Sequence, residues 1–340
     1  MLTALIFVGT YAIVATGRAP WLRLDRTGAA IVGAVLMVVT GAIGFSEAVS
    51  SVDFRTIVLL FSMMIIVAHL RLAGGLAAFA RLISTRVGHP AALTVALVFA
   101  AGILSALFVN DTVCLVFTPI VLDVAAARRH RPLPYLLALA TASNIGSAAT
   151  ITGNPQNILI GSVSGISFAR FAAAIGPIAV FGLVVDAALI WLVFRRELHT
   201  TTTDPTALRA IRPHRPLLIK TLVVAGAVLA GFLAGYITAL VAVAGAAVLL
   251  VTRRIRPRKV YAAIDWDLLM LFIGLFVIVG GVCLIIVGLL IYSGGLNWFG
   301  KLPGDIRYQS DRVHFYAPIV SMLIISLALS LVFYLLRRFF

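Results

Sequence analysis

Acidic side chains are scarce in this 340-residue chain. Twelve Asp and Glu stand against 27 Lys and Arg, and charged residues of every kind make up only 11%. A soluble domain needs far more charge than this to cover its surface. The chain is instead 62% hydrophobic, with a mean hydropathy of +1.11, and most of it consists of apolar runs of membrane-spanning length. Cysteine is nearly absent. Cys114 and Cys283 both fall inside apolar runs and read as small buried hydrophobes, not a disulfide or a metal pair. No nucleotide-binding loop, catalytic triad or metal-ligand cluster is found. That speaks against an ATP-driven pump or a membrane enzyme, so the chain reads as a non-enzyme with no bound cofactor. The opening MLTALIFVGTYAIVATG lacks a basic leader and an A-x-A cleavage site, and reads as a first membrane helix.

A formal charge of +15 suggests nucleic acid or acidic lipid as a partner, and its placement decides between them. Arg128, Arg129 and Arg131, Arg195 and Arg196, Arg253 to Lys259, and Arg337 and Arg338 all lie at the ends of apolar runs. That is the distribution of cytoplasmic anchors at a lipid bilayer, with no nucleic-acid-reading module attached. The expected fold is therefore all-α: a polytopic protein of the cell membrane with about nine spanning helices, one re-entrant hairpin and a cytoplasmic C-terminus.

The basic loops set the order of crossings. Helices are expected over about 2–16, 28–46 and 54–72, followed by a short interfacial helix in LAGGLAAFARLIS. His69 and Arg71, near a helix end, are expected to snorkel to the surface. Residues 90–127 are apolar with basic flanks on both sides. They must enter and return, either as two spans or as a re-entrant hairpin with Asn110-Asp111-Thr112 at the turn; a polar tip favours the hairpin. A helix over about 133–163 is broken near Gly146 to Pro155, where glycines and a proline release the backbone. A return helix over about 172–194 leads to a Thr- and Pro-rich loop. Further helices are expected at about 217–236, 237–252, 266–293 and 317–336. Gly231 and Gly235 form a G-x-x-x-G, read as close packing within the protein.

Residues 33–67 and 245–279 align without a gap at an offset of 212, pairing Val52-Asp53-Phe54 with Ile264-Asp265-Trp266. The basic-loop assignment runs the two copies in opposite directions, the mark of an inverted-repeat transporter. The same offset carries Asn110 to Met322 and carries Asn154 past the last residue. The inverted repeat is thus incomplete, with one half-site and no second.

Polar residues are densest in two places, Asn110-Asp111-Thr112 and the stretch from Ser143 to Asn157. Oxygen-bearing side chains and freed carbonyls suit a hard cation, and helix N-termini suit an anion. The candidate substrate- and cation-binding residues are Asn110, Asp111, Thr112, Ser143, Asn144, Gly146, Thr150, Thr152, Gly153, Asn154, Pro155 and Asn157. Na⁺ is placed at Asn110, Thr112 and Asn157, or H⁺ on Asp111. The plainer readings are a helix cap at 110–112 and interhelical hydrogen bonding at 143–157. Asp186, a lone carboxylate in an apolar run, is a candidate proton relay, or pairs with a cation, or lies near the interface.

FVNDTVCLVFTPIVL followed by TASNIGSAATITGNPQNILIG resembles the ion transporter superfamily of arsenite permeases, NhaD-type sodium/proton antiporters and divalent anion/sodium symporters, over about 20–281. Asn110-Asp111 with Thr118-Pro119 looks like the arsenite-permease form of the first hairpin. Gly153-Asn154-Pro155-Gln156-Asn157 is similar to the symporters' turn. The resemblance implies a helical membrane homodimer in which hairpin tip and helix break hold a cation or the transported anion. From about 270 onward the chain resembles a small two-helix bacterial membrane family through Lys301 to Ile306, FYAPI and the terminal FYLLRRF. The expected divisions are a first repeat over 1–197, a linker over 198–216, a partial second repeat over 217–281 and a fused segment over 282–340. The expected function is secondary active transport of a small anion, arsenite or a di- or tricarboxylate, coupled to Na⁺ or H⁺. The alternative is a truncated or fused, transport-incompetent membrane scaffold.

Overall fold

The computed structural model describes residues 2–17, 23–198, 213–251, 255–292, 306–310 and 313–317. The expected linker, Thr200 to Thr203 and the last helix at 317–336 lie essentially outside them. Fourteen helices occur among these residues: α1 (Leu2–Thr16), α2 (Arg26–Val39), α3 (Phe45–Ser51), α4 (Phe54–Leu72), α5 (Gly75–Arg86), α6 (Pro90–Leu107), α7 (Asn110–Ala127), α8 (Leu133–Ser147), α9 (Pro155–Ser164), α10 (Phe168–Leu198), α11 (Arg215–Leu233), α12 (Thr238–Leu250), α13 (Pro257–Tyr261) and α14 (Trp266–Tyr292). To these is added one antiparallel hairpin, β1 (Ile306–Ser310) with β2 (Val313–Ala317). The helices α4, α6, α7, α10 and α11 are long and apolar enough to cross a membrane, and α1, α2, α12 and Trp266–Val279 of α14 are apolar but shorter. This is a helical, multi-pass membrane protein.

Several boundaries differ from the expected ones for local reasons. The helix expected over 28–46 starts earlier and stops sooner. Asp25 caps its start by accepting from the Gly28 N–H at 2.7 Å. Gly41, at φ 71°, then turns the chain before α3, a left-handed conformation that glycine adopts without strain. At α10, Phe194 leaves helical geometry, so the span ends where expected and a further turn carries Arg195 and Arg196.

By Cα packing the chain divides into two compact units, Met1–Val52 with Gly274–Phe340, and Asp53–Ile273. In the first, Gly33 of α2 lies against Thr10 of α1, and Gly274 packs on the backbone of Ala30. The second unit holds two apolar clusters. One gathers Leu97, Val98, Phe117, Val121, Ala138, Leu139 and Leu183 from α6, α7, α8 and α10. The other gathers Leu60, Ile65, Ile66, Ile158, Phe232 and Leu249 around α4, α11 and α12. At the centre of the first cluster Gly146 of α8 rests on the backbone of Gly102 of α6, where a Cβ would overlap it. Gly231 of the G-x-x-x-G faces Val241 of α12 in the same chain, and Gly235, at φ 84°, makes the turn that follows.

The internal repeat is legible element by element. Adding 212 to the bounds of α2, α3 and α4 gives 238–251, 257–263 and 266–284, which fall on α12, α13 and the start of α14. The matched aspartates play the same part. Asp53 caps α4, accepting from the N–H of Arg55 at 3.0 Å, and Asp265 caps α14, accepting from the N–H of Leu268 at 2.9 Å.

Asp53 does more than cap. Its second oxygen accepts from the Thr56 hydroxyl at 2.7 Å and from the Ser162 hydroxyl of α9. Burial pushes this carboxyl up, but the hydrogen bonds from Ser162 and Thr56 outweigh it and hold the group below its ordinary value of 3.8. A carboxyl lowered by folding contributes stability that is present above its unfolded pKa and lost as pH falls through the folded one. Asp53→Ala is therefore expected to cost about 1–2 kcal/mol at neutral pH. The gap between variant and parent should close below about pH 4, as read by thermal melts in detergent across pH.

Candidate functional site

Two places where the helical backbone is interrupted meet inside the second unit. Between α6 and α7 the chain is extended at Phe108 and Val109. Between α8 and α9 it runs through Ala148 to Asn154. Backbone groups freed at such breaks need partners within the protein when the surroundings are apolar. Here each break supplies the other. The Asn110 N–H donates to the Gly153 carbonyl at 3.2 Å, and the Thr150 hydroxyl donates to the Ala106 carbonyl.

The side chains extend the same connection. Asn110 Nδ2 donates to Asn144 Oδ1 at 3.2 Å, and Cys114 Sγ lies 2.9 Å from Ser143 Oγ. Asn154 caps α9, with Oδ1 accepting from the Asn157 N–H at 2.8 Å and Nδ2 donating to Ser147 Oγ at 3.2 Å. Pro155 follows at the first helical position, where no N–H is required. Asn157 turns its Nδ2 towards three carbonyls, those of Ser147 at 3.3 Å, Ala148 at 3.2 Å and Thr150 at 2.8 Å. Gly153 passes so close to the Ser147 carbonyl that a Cβ there would overlap it.

Many of the candidate residues thus have structural partners: Ser143, Thr150, Asn154 and Asn157 bond to backbone or to neighbouring side chains. Asn110 differs. Its Oδ1 is buried and has no hydrogen-bond partner. Asp111 and Thr112 turn elsewhere, into a cavity of about 60 Å³ that they share with Arg71 and Asp265. Thr152 lines a third space, an apolar cavity of about 250 Å³ beside Phe108 and Phe232. Among the described residues no hydrogen bond joins Thr112 to Asn157, so the three residues named for Na⁺ are divided between two surroundings.

Asp186 of α10, 7% exposed, accepts from the Thr141 hydroxyl of α8 at 3.0 Å. Its partner is a hydroxyl and not a cation. His69 departs from expectation more sharply, being fully buried instead of snorkelling. Its Nδ1 bonds the Ile65 carbonyl at 2.8 Å, and Lys220 of α11 and the Leu249 backbone of α12 lie near the ring. A histidine one turn from a helix end is indistinguishable in sequence from an interfacial one; which face the neighbouring helices cover decides it.

Asp265, Arg71, Ser147 and Cys114 were outside the expected set. Asp265 carried a signal, its alignment with Asp53 in the repeat. Ser147 carried another, its position one helical turn after Asn144. Arg71 and Cys114 carried none. No group of three or more His, Cys, Asp or Glu able to hold a metal ion occurs among the described residues.

Residues 11–335 match the citrate transporter family. The match extends past the 20–281 over which the motifs carried the resemblance, and into the stretch likened to a two-helix family. The silicon efflux transporter LSI3 of Oryza sativa subsp. japonica is 38% identical over 191 residues, 56% of this chain and 39% of that protein. A 46 kDa membrane protein of Mycobacterium leprae is 35% identical over 289 residues, 81% of this chain and 66% of that protein. A putative transporter, arsB, of Dictyostelium discoideum is 31% identical over 201 residues, 59% of this chain and 35% of that protein. The chain spans between about a third and two thirds of the length of these relatives.

Asn157 and Asn110 differ in how fully their polar groups are paired. Asn157→Ala strips the donor from three carbonyls and is expected to destabilise the protein by about 1–3 kcal/mol. Asn110→Ala removes one exposed side-chain hydrogen bond together with an unpartnered oxygen, and its melting temperature in detergent is expected to stay close to that of the parent.

Proposed function

The chain belongs to the citrate transporter family, and on that premise we propose that it is a secondary active transporter for a small anion, coupled to Na⁺ or H⁺. The observation that carries this reading is the meeting of the two breaks at Asn110. The N-termini of α7 and α9 lie at those breaks, and the positive end of a helix dipole attracts an anion. The C-terminal carbonyls of α8 offer the opposite charge. Broken helices of this kind are how transporters pair an anion with its coupling cation.

In this reading the anion binds at the α7 and α9 N-termini, next to Asn110, Asn144 and Gly153. The unpartnered Asn110 Oδ1 is a cation ligand; Thr112 and Asn157, named with it for Na⁺, face other surroundings and join it only if the site rearranges on binding. Asp111, facing Asp265 and Arg71 across the small cavity, carries the coupling proton where H⁺ is used. Asp186 is the remaining candidate relay, with Thr141 as its partner. The names of the silicon efflux and arsB relatives point to an oxyacid such as arsenite, and the family name to a di- or tricarboxylate. Residues 1–197 serve as the first repeat and 217–281 as part of the second, the C-terminus is cytoplasmic, and the chain works as a homodimer.

The test is flux into proteoliposomes of arsenite, sulfate, succinate and citrate, with and without Na⁺ and pH gradients. At least one anion should move in response to one gradient. Asn110→Ala and Asp111→Asn should each cut that uptake about tenfold or more, the size expected for losing a hydrogen bond to a charged group, with membrane insertion retained. Uptake unchanged in both variants removes the site assignment. No gradient-driven flux of any anion would favour the transport-incompetent scaffold.

A further inference from the structure

Away from the helix breaks, a second cavity lies where α4 ends and α11 begins. It measures about 490 Å³ and is lined by Leu72, His214, Leu217, Ile255, Arg256 and Lys259. Three of these are apolar and three are basic, and no acidic side chain is among them. The cavity is built by the chain's own connections: the His214 N–H donates to the Ala73 carbonyl at 2.9 Å, tying the start of α11 to the end of α4. His214 Nδ1 accepts from the Leu217 N–H at 3.3 Å. The proton of the neutral ring therefore sits on Nε2, leaving that nitrogen as a donor.

Depth in the membrane follows from length. The 19 residues of α4 reach about 28 Å at 1.5 Å per residue, close to the hydrocarbon thickness of about 30 Å. Leu72, its last residue, therefore lies at the level of the lipid headgroups, and so do the groups beside it. Arg256 and Lys259 have no carboxylate partner among the described residues. Lys220, one turn into α11, is occupied elsewhere, donating to the carbonyls of Val248 at 2.6 Å and Val251 at 2.8 Å. A space with apolar walls and two uncommitted cations at headgroup depth matches a molecule that is apolar at one end and carries a phosphate at the other.

We propose that the cavity between Leu72, His214 and the Arg256–Lys259 turn binds a phosphate group, that of an anionic phospholipid headgroup. The site is independent of the transport reading, since none of its residues touches the helix breaks. Arg256 and Lys259 pair with the phosphate oxygens, the His214 Nε2–H donates to them, and Leu72, Leu217 and Ile255 cover the adjoining acyl segment.

The test uses the full chain in detergent micelles, titrated with phosphatidylglycerol or phosphatidylcholine, with melting temperature as the readout. Phosphatidylglycerol is expected to raise it at concentrations about tenfold or more below those needed for phosphatidylcholine. The double variant R256Q/K259Q should lose that preference, and K259Q alone should lose part of it. R86Q/R170Q, which removes the same charge elsewhere, should keep it. A parallel titration in the presence of inorganic phosphate separates the sources: competition makes free phosphate an occupant as well, and its absence leaves the lipid diester. Equal response to the two lipids, or equal loss in R86Q/R170Q, overturns the proposal.

Discussion

The structure turns on a constraint that water would remove. Where a helix breaks within an apolar protein, the backbone groups it frees have no solvent to bond to, and each must find a partner in the chain. In the second unit two such breaks, at 108–109 and 148–154, bond to each other. The Asn110 N–H meets the Gly153 carbonyl, the Thr150 hydroxyl meets Ala106, and Asn157 holds three carbonyls at the end of α8. Close approach of α6 and α8 makes this possible, and the glycine pair Gly102 and Gly146 permits that approach.

Once the backbone is satisfied, the remaining polar groups can be sorted. Ser143, Asn154 and Asn157 are committed to internal bonds, which is the plainer of the two readings of their density. Asn110 Oδ1 and the Asp111–Asp265–Arg71 cavity are not. A buried acceptor without a donor is costly, and among the candidate residues the Asn110 Oδ1 is the atom on which the proposed site rests. The transport proposal therefore rests on fewer residues than the polar density of 143–157 suggests. The basic groups divide in the same manner: Lys220 is bonded to the end of α12, whereas Arg256 and Lys259 face open space.

Much of the helical plan was legible in the sequence, because apolar run length and the Asp and Gly punctuation at helix ends are local properties. Helix α4 falls on 54–72 as expected, and the break in the 133–163 helix falls between Ser147 and Pro155. The offset of 212 was visible because aspartates followed by aromatic residues recur at the heads of α4 and α14. The direction of side chains was not legible. Nothing local tells that Asn157 presents its nitrogen to carbonyls, that His69 is fully buried, or that Thr112 and Thr152 face different cavities. Those outcomes depend on which distant helix covers which face, and pattern along the chain carries no record of it.

The central claim is that the Asn110 tip and the Ser143–Asn157 break form one site in the membrane. Cysteine cross-linking in native membranes tests it most directly, with N110C and N144C introduced together in a background where Cys114 and Cys283 are replaced by serine. The 3.2 Å bond between the Asn110 and Asn144 side chains predicts efficient bridging of the two thiols by a short bifunctional methanethiosulfonate, whose spacer replaces the length of the two amides, with N110C paired to S164C at the far end of α9 as the unreactive control. Failure of the 110–144 pair to cross-link, or equal reaction of the control pair, would contradict the account.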